Sequence, residues 1–278
     1  MEFSLSRAEV NRFEYRDEAT STNDVLKALA TADAAAWPDL SALVTDNQTE
    51  GRGRLGRVWL APTGKSLAIS VLVRPGITHQ LPPQSLGWLP LLAGAAMTLA
   101  VQKVVAATVH PVENVKEAEQ PRHDIALKWP NDVLIDGYKV CGILCELLPD
   151  ASGVIIGGGL NLSLDEHDLP TLTSTSLLLV TRTAPNPDEV LAEYLHELAT
   201  LYRKFLAANG DAEKSGLHAQ VSALCGTLGS DVRVELPGGT DLIGTATSID
   251  TEGRLNVVNQ ADGLERSVAA GDVTHLRY

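Results

Sequence analysis

The sequence predicts an α+β protein in which helices pack on a mixed or antiparallel sheet, followed by a small β-rich domain. Apolar strand-like runs and two long helical segments fill the chain as far as residue 224. From residue 225 onward the sequence pattern changes and predicts short strands separated by glycine-containing turns. A length of 278 residues suits one large domain and one small one. We therefore expect a main domain at residues 1–224 and a small domain at residues 225–278.

The main domain has clear local signals. A run of Ser, Thr, Asn and Asp at residues 20–24 precedes apolar positions with helical spacing, which is typical of a helix start. Apolar runs bounded by turn residues predict strands at residues 41–44, 66–74, 125–129, 133–136, 139–148 and 154–161. Asp136-Gly137 predicts a hairpin between two of these strands. Helices are expected at residues 88–110, 187–208 and 215–225, an exposed connection at 111–124, and a further core segment at 174–179.

The small domain is predicted from strand length and turn spacing. Short strands are expected at residues 232–236, 244–249, 255–258 and 266–268. Glycine-containing turns separate them, as in a small antiparallel barrel or sandwich.

Composition argues against nucleic acid and membranes as partners. The net charge is −13, whereas a phosphate backbone demands a basic face. We find no uninterrupted apolar run of the roughly 18 residues that a bilayer span needs. The first residues are charged throughout and do not resemble a secretory signal. These features predict a cytoplasmic protein.

The three cysteines, Cys141, Cys145 and Cys225, are an odd number. We expect buried, reduced thiols rather than disulfides. A zinc site would need further Cys or His ligands at characteristic spacing, and none follows.

A glycine-arginine loop at residues 51–57 is the main functional signal. It places Arg52, Arg54 and Arg57 among three glycines in an acidic chain. Glycines let backbone N–H groups approach a ligand, and arginines fork onto carboxylate or phosphate oxygens. The loop therefore predicts an anion-binding site.

Two nucleotide motifs come close to this region without fitting. Gly51, Gly53 and Gly56 match the dinucleotide fingerprint, but that motif requires a helix, and Pro62 follows instead. Residues 63–66 resemble the end of a P-loop, but Trp59 occupies the position of its first glycine. A dinucleotide-dependent oxidoreductase is accordingly disfavoured.

Three other clusters accompany the loop. Lys128-Trp-Pro-Asn-Asp132 ends a strand, Lys139 begins one, and glycines at residues 157–159 precede Asn161. Each also has a structural interpretation: a turn after proline, a snorkelling lysine, or close strand packing. Together they suit a site that holds polyanions while charge shifts, as in the attack of a carboxylate on the α-phosphate of ATP.

In these motifs the chain resembles the biotin protein ligases. The motifs that carry the resemblance are Ser21-Thr22-Asn23, Gln48-x-x-Gly51-Arg52-Gly53-Arg54-x-Gly56-Arg57-x-Trp59, Lys128-Trp-Pro-Asn-Asp132, Lys139-x-x-Gly142-Ile-Leu-x-Glu146 and Gly157-x-Gly159-x-Asn161. The resemblance implies a catalytic domain like those of class II synthetases and a C-terminal SH3-like β-barrel. It also implies a two-step reaction that makes biotinyl-5′-AMP from biotin and MgATP and then biotinylates a lysine of a biotin carboxyl carrier domain.

The resemblance also implies roles for individual residues. Biotin would be bound by Ser21, Thr22, Asn23, Gln48, Gly51, Arg52, Gly53, Arg54, Lys139 and Gly142. The nucleotide would be bound by Arg57, Trp59, Asn131, Asp132 and Asn161, with Asp132 near Mg²⁺. Arg54, Arg57 and Lys139 would be catalytic.

Several further expectations accompany the resemblance. Some ligases carry a winged helix that represses transcription, and with some nineteen residues before Thr20 we expect no repressor function here. We expect a monomer or weak homodimer. Cys145 is expected to border biotin. Alternatives are a lipoate ligase or octanoyltransferase of the same catalytic fold, and a non-catalytic module that holds biotin or its adenylate.

Overall fold

The computed structural model describes residues 2–78, 81–108, 122–236 and 239–276. Its helices are α1 (Ser4–Ala8), α2 (Thr22–Ala32), α3 (Pro75–Thr78), α4 (Leu89–Thr108), α5 (Leu177–Thr181), α6 (Pro187–Ala207) and α7 (Leu217–Leu224). Short 3-10 helices span Arg54–Gly56 and Pro83–Trp88. Its strands are β1 (Arg12–Tyr15), β2 (Ser41–Thr45), β3 (Ser66–Val73), β4 (Ile125–Lys128), β5 (Asp132–Ile135), β6 (Tyr138–Leu147), β7 (Val154–Asn161), β8 (Asp231–Glu235), β9 (Asp241–Ile249), β10 (Leu255–Asn259), β11 (Glu265–Val268) and β12 (Asp272–His275).

The main sheet confirms the α+β prediction. Among the described residues, its strand order is β1-β2-β3-β7-β6-β5-β4. β1 and β2 are parallel, and the other neighbours are antiparallel. All eight residues of β3 are buried, because this strand is covered on both faces. Its uninterrupted apolar sequence, SLAISVLV, is what such a position requires.

Helices cover both faces of the sheet. α4 and α6 pack on one face and share a core with Ile69, Ile143 and Ile156. α2 packs on the other face, where Leu26 joins Leu43 and Leu72. α2 covers only part of that face, and the open remainder is where the cavity lies.

One helical segment bears on the expected absence of a membrane span. The segment Pro83–Thr108 is long and apolar enough to cross a membrane by length and composition. However, 67% of its most apolar window is buried inside the fold, as in the core helix of a globular protein.

Local sequence signals match local structure at two points near the site. Ser21 caps α2, and its side chain accepts a hydrogen bond from the Asp24 backbone N–H at 3.5 Å. The β5–β6 hairpin turns at Asp136 and Gly137, whose φ angles are 52° and 81°. Two successive positive φ angles are what the predicted tight hairpin turn requires.

The small sheet has the order β11-β10-β9-β8-β12, and all its neighbouring strands are antiparallel. Burial alternates along β8 and β9, so one face joins the core. Two tryptophans of the main domain bind its backbone: Trp88 Nε1 donates to the Thr251 carbonyl at 2.9 Å, and Trp129 Nε1 to the Gly253 carbonyl at 3.0 Å. The small sheet is thereby held beside the end of β4, where the Trp129–Pro130 peptide is cis.

The sequence prediction omitted α1, α3, β1 and β12, and it assigned residues 174–179 no helix although α5 begins at Leu177. The omitted segments are short, with few apolar positions, and the two strands are held by partners distant in sequence: β1 by β2, and β12 by β8. The helix predicted at residues 88–110 is described as far as Thr108. Most of the predicted connection at 111–124 lies outside the described residues. The domain division at residue 224 stays a prediction.

Candidate active site

A cavity of about 690 Å³ opens between the main sheet, the glycine-arginine loop and β12 of the small sheet. Most of the site residues expected from the sequence line it. They are Ser21, Thr22, Asn23, Gln48, Arg52, Gly53, Arg54, Arg57, Trp59, Asn131, Asp132, Lys139 and Gly142. The sheet brings these separate motifs to one face, because β6 and β7 pair in the middle of it.

Glycines on β6 and β7 form the floor of the cavity. Gly157 and Gly159 point to the site face, and a Cβ there would lie 2.4 Å from Asn23 Oδ1 and 2.4 Å from the Trp59 ring, respectively. A Cβ on Gly142, the cross-strand partner of Gly159, would lie 2.9 Å from Lys139 Nζ. The glycines therefore leave the space in which three functional side chains lie.

One group of side chains, Ser21, Thr22, Asn23 and Gln48, forms what we call the neutral end of the cavity. Gln48 Oε1 accepts hydrogen bonds from the Thr22 backbone N–H at 2.9 Å and from the Thr22 hydroxyl at 3.1 Å. Ser21, Thr22 and Asn23 are buried. This end presents fixed, uncharged polar groups.

Asn23 is held from three sides. Its Nδ2 donates to Glu146 Oε2 at 2.7 Å and to the Leu144 carbonyl at 3.3 Å. Its Oδ1 accepts a hydrogen bond from the Ser70 hydroxyl at 2.6 Å. The amide orientation is therefore fixed, with one acceptor position on Oδ1 left over.

The opposite end of the cavity is cationic. Among the described lining residues, five carry a positive charge and two a negative charge. The cations are Arg52, Arg54, Arg57, Lys128 and Lys139, and the anions are Asp132 and Asp272. In a chain with net charge −13, this concentration of cations creates a local attraction for anions. We call Arg54, Arg57 and Lys128 the cationic end.

Lys139 lies on the cavity wall beside Gly142, Trp59 and Asp132. Its Nζ is 5.5 Å from the Trp59 ring centroid and 2.6 Å from Asp132 Oδ1. The contact with Asp132 is an ion pair rather than an aligned hydrogen bond, because Oδ1 is buried and has no hydrogen-bond partner among the described residues. The ammonium group is thus fixed electrostatically and keeps donors for a ligand.

Two arginines of the loop are tied to neighbouring elements. Arg54 donates to Asn131 Oδ1 at 2.8 Å and to the Gly271 carbonyl at 3.0 Å. Burial lowers the pKa of Arg54, which increases the advantage of an anionic ligand there. Arg57 pairs with Asp272. Burial alone would raise the pKa of Asp272, but the hydrogen bond from Arg57 and the nearby cations hold it below its ordinary value.

Gly51 and Asn161 do not line this cavity. A Cβ on Gly51 would lie 2.0 Å from the Trp59 carbonyl and 2.2 Å from Gln48 Nε2, so this glycine permits the loop to pack on the neutral end. Asn161 donates to the Thr175 carbonyl at 2.9 Å and borders a smaller cavity beside Trp59. The predicted ligand contacts of both residues stay predictions.

Both Lys128 and Asp272 line the cavity. Sequence reasoning gave Lys128 no individual role beyond its place in a polyanion-holding set, and gave Asp272 none. Burial lowers the pKa of Lys128, and this effect outweighs the opposing attraction of Asp132 and Asp272. Its position in a motif at a strand end was a usable signal. Asp272 carries no local signal, because only the packing of β12 brings it to the loop.

The expectation that Cys145 borders biotin is wrong for the cavity described here. Cys145 does not line it and packs against the core on the other face of β6, two strand positions from Ile143. Burial raises the pKa of Cys141 and Cys145 to about 12, so both thiols are protonated and unreactive at neutral pH. All three cysteines are free, as expected, but only Cys141 and Cys225 are buried, and Cys145 is partly buried.

Comparison with known proteins identifies the family. The family model described as the biotin/lipoate A/B protein ligase family matches residues 15–161, and the biotin protein ligase C-terminal domain matches residues 227–276. The chain belongs to the biotin/lipoate A/B protein ligase family. The biotin–[acetyl-CoA-carboxylase] ligase of Mycobacterium tuberculosis is 38% identical over 257 residues, which are 92% of this chain and 86% of that protein. A bifunctional ligase/repressor of Bacillus spizizenii is 31% identical over 92% of this chain and 72% of its own length.

Two solved biotin protein ligases are similar to this chain in fold. The biotin protein ligase from Aquifex aeolicus in complex with biotin and ATP has a TM-score of 0.72 and 25% identity, covering 96% of this chain and all of that one. The Leishmania major enzyme in complex with biotinyl-5-AMP has a TM-score of 0.55 and 26% identity, covering 93% of this chain and 98% of that one.

Proposed function

We propose that the chain forms biotinyl-5′-AMP from biotin and ATP and transfers biotin to a lysine of a carrier protein. The observation that carries the proposal is one cavity that combines fixed neutral polar groups with clustered cations, among them Lys139 beside Asp132. Fixed neutral polar groups suit an uncharged head group, and clustered cations suit a polyphosphate. Relatives solved with biotin and ATP or with biotinyl-5-AMP support this interpretation.

In the first step, a carboxylate oxygen of biotin attacks the α-phosphorus of ATP. The bond between that phosphorus and the bridging oxygen breaks, and pyrophosphate leaves. Lys139 is placed to hold the carboxylate close to the α-phosphate, and Arg54 to stabilise the charge that develops on the phosphate oxygens. Arg57 and Lys128 are placed to hold the remaining phosphates, with Trp59 and Asn131 on the nucleotide side.

In the second step, the neutral amine of the acceptor lysine attacks the carbonyl carbon of the mixed anhydride. The bond to the phosphate oxygen breaks, AMP leaves, and the amine loses a proton to solvent. The acceptor is proposed to be a biotin carboxyl carrier domain. Closure of the glycine-arginine loop would protect the anhydride from water until this acceptor arrives.

Magnesium is proposed to enter with ATP. Among the described residues no group of three or more His, Cys, Asp or Glu side chains could hold a metal alone. Magnesium is commonly bound by one or two carboxylates together with substrate phosphates, and Asp132 offers such a carboxylate at the cationic end. When bound, the ion would offset negative charge on the phosphates.

The test is biotin-dependent pyrophosphate release from ATP, followed by mass spectrometry of an added carrier domain. We expect release and a mass increase on one carrier lysine. Release without transfer would leave adenylation standing and point to a different carrier. Release with lipoate or octanoate but not with biotin would replace the proposal with the related acyl ligase activity. Cytoplasmic location, a monomer or weak homodimer, and absence of DNA binding stay predictions from the sequence.

A further inference from the structure

The three arginines of the glycine-arginine loop make contacts in two directions. Arg54 binds Asn131 and the Gly271 carbonyl, and Arg57 binds Asp272 of the small sheet. Arg52 turns the other way and binds Asp24 of α2. The loop is therefore attached to the main domain at one end and to the small sheet at the other.

The Arg52–Asp24 contact is bidentate. Arg52 Nη2 donates to Asp24 Oδ1 at 2.7 Å, and Arg52 Nη1 donates to Asp24 Oδ2. Glu146 Oε1 lies 3.7 Å from Arg52 Nη2. A planar guanidinium that meets a carboxylate with two parallel hydrogen bonds fixes direction as well as distance.

Asp24 is well placed to act on the neutral end of the cavity. It follows Ser21, Thr22 and Asn23 directly, in the first turn of α2, and Asn23 is itself held by Glu146. The helix is anchored in the core by Leu26. A loop bound to Asp24 is therefore bound to the same rigid element that presents the neutral polar groups.

We propose that Asp24 is a positioning residue whose carboxylate latches Arg52, so that the glycine-arginine loop stays closed over the neutral end and retains biotin and biotinyl-5′-AMP. This inference rests on the proposed ligase function and assigns to that site a residue that does not line it. The hydrogen bond from Arg52 lowers the pKa of Asp24, so the latch is charged at neutral pH.

The Arg52–Asp24 pair should contribute more to closure of the loop than to the stability of the fold. Asp24 and Arg52 are 43% and 41% exposed, and exposed ion pairs contribute little to global stability. A loop that exchanges between open and closed states responds to a small bias, because its closed population follows the contact directly. Removing the carboxylate should therefore change ligand retention much more than stability.

The test compares wild type with Asp24→Asn, Asp24→Glu, Arg52→Ala and the Asp24→Asn/Arg52→Ala double variant. The control is Asp262→Asn, which removes a similarly exposed bidentate pair with Arg266 on the small sheet, 39% and 42% exposed. Three quantities are measured for each: the KM for biotin and the KM for ATP in pyrophosphate release, the rate at which preformed biotinyl-5′-AMP leaves the enzyme, and the thermal midpoint.

We expect Asp24→Asn to raise the KM for biotin and the release rate of biotinyl-5′-AMP about five- to twentyfold, with the KM for ATP changed less than about twofold. Asp24→Glu should restore most of the retention, and the double variant should be no worse than Arg52→Ala. Asp262→Asn should resemble wild type.

Wild-type retention in Asp24→Asn would overturn the latch. The proposal would also be overturned if the effects of the two single substitutions added in the double variant. It would be overturned as well if the loss of retention followed a fall in the thermal midpoint, since such a fall would indicate only a helix-capping role for Asp24. Failure of the proposed ligase function can be distinguished from failure of the latch alone, because the wild-type chain itself would then release no pyrophosphate with biotin. In that case the latch proposal would be overturned as well.

Discussion

At the neutral end of the cavity the polar side chains bond to one another, whereas the cationic end keeps a surplus of positive charge over the two carboxylates that line the cavity. Asn23 is bonded to Ser70, Glu146 and the Leu144 carbonyl, and Thr22 is bonded twice to Gln48. Lys128 has been desolvated, and Arg57 is 61% exposed. The difference teaches that the two ends recognise ligands by different physics: fixed hydrogen-bond geometry at one, and electrostatic potential at the other.

The largest expected effect comes from the cationic end. Arg54→Ala should leave the fold intact and lower biotin-dependent pyrophosphate release about a hundredfold or more, because it removes a charged donor aimed at the reacting phosphate. Any adenylate formed should leak from the enzyme. Steady-state kinetics and direct binding of biotin measure this. A variant with full adenylation and no leakage would contradict the role assigned to Arg54.

Substitution of a glycine in the cavity floor should disturb the fixed geometry of the neutral end. Gly157→Ala places a Cβ 2.4 Å from Asn23 Oδ1 and should lower biotin affinity about tenfold or more, because Asn23 must move. Gly158→Ala is the matched control, since its Cβ would point to the opposite face, 3.6 Å from Ile143 Cδ1. Calorimetric titration with biotin measures both. Equal losses in the two variants would indicate a general effect on β7.

The pH dependence should belong to the cationic end alone. Burial lowers the pKa of Lys128, so its charge is lost as pH rises through a value below the ordinary lysine pKa of about 10.4. The KM for ATP should therefore begin to rise at a pH below that at which an ordinary lysine loses its charge, while biotin affinity changes less.

Lys128→Arg should flatten this alkaline rise, because arginine stays charged. Lys214→Arg, at an exposed position far along the chain, is the control and should keep the rise. An unchanged rise in Lys128→Arg would show that Lys128 does not cause it.

The smallest effect is expected at the small sheet. Asp272→Asn frees Arg57 from an exposed ion pair and adds one positive charge to the cavity, so the KM for ATP should fall about two- to threefold with little change in stability. Rising ionic strength should reduce the difference. A large rise in KM would show instead that Asp272 is needed to position Arg57.

Much of the fold and site could be predicted because their signals are local. The Asp136-Gly137 hairpin, the start of α2 after Ser21 and the apolar run of β3 follow from backbone preferences and periodicity within a few residues. The glycine-arginine loop predicted an anion-binding site because three arginines and three glycines lie within seven residues. Lys128 was visible in its motif but was given no individual role.

What the sequence determined by itself is therefore most of the elements and the chemical groups that each element carries. The tertiary structure decided which distant groups meet. Arg52 and Asp24 are 28 residues apart, and Arg57 and Asp272 are 215 apart. It also decided that Cys145 faces the core rather than the cavity. The physical reason is that periodicity fixes which residues share a face, whereas strand order and the docking of the small sheet fix what that face meets.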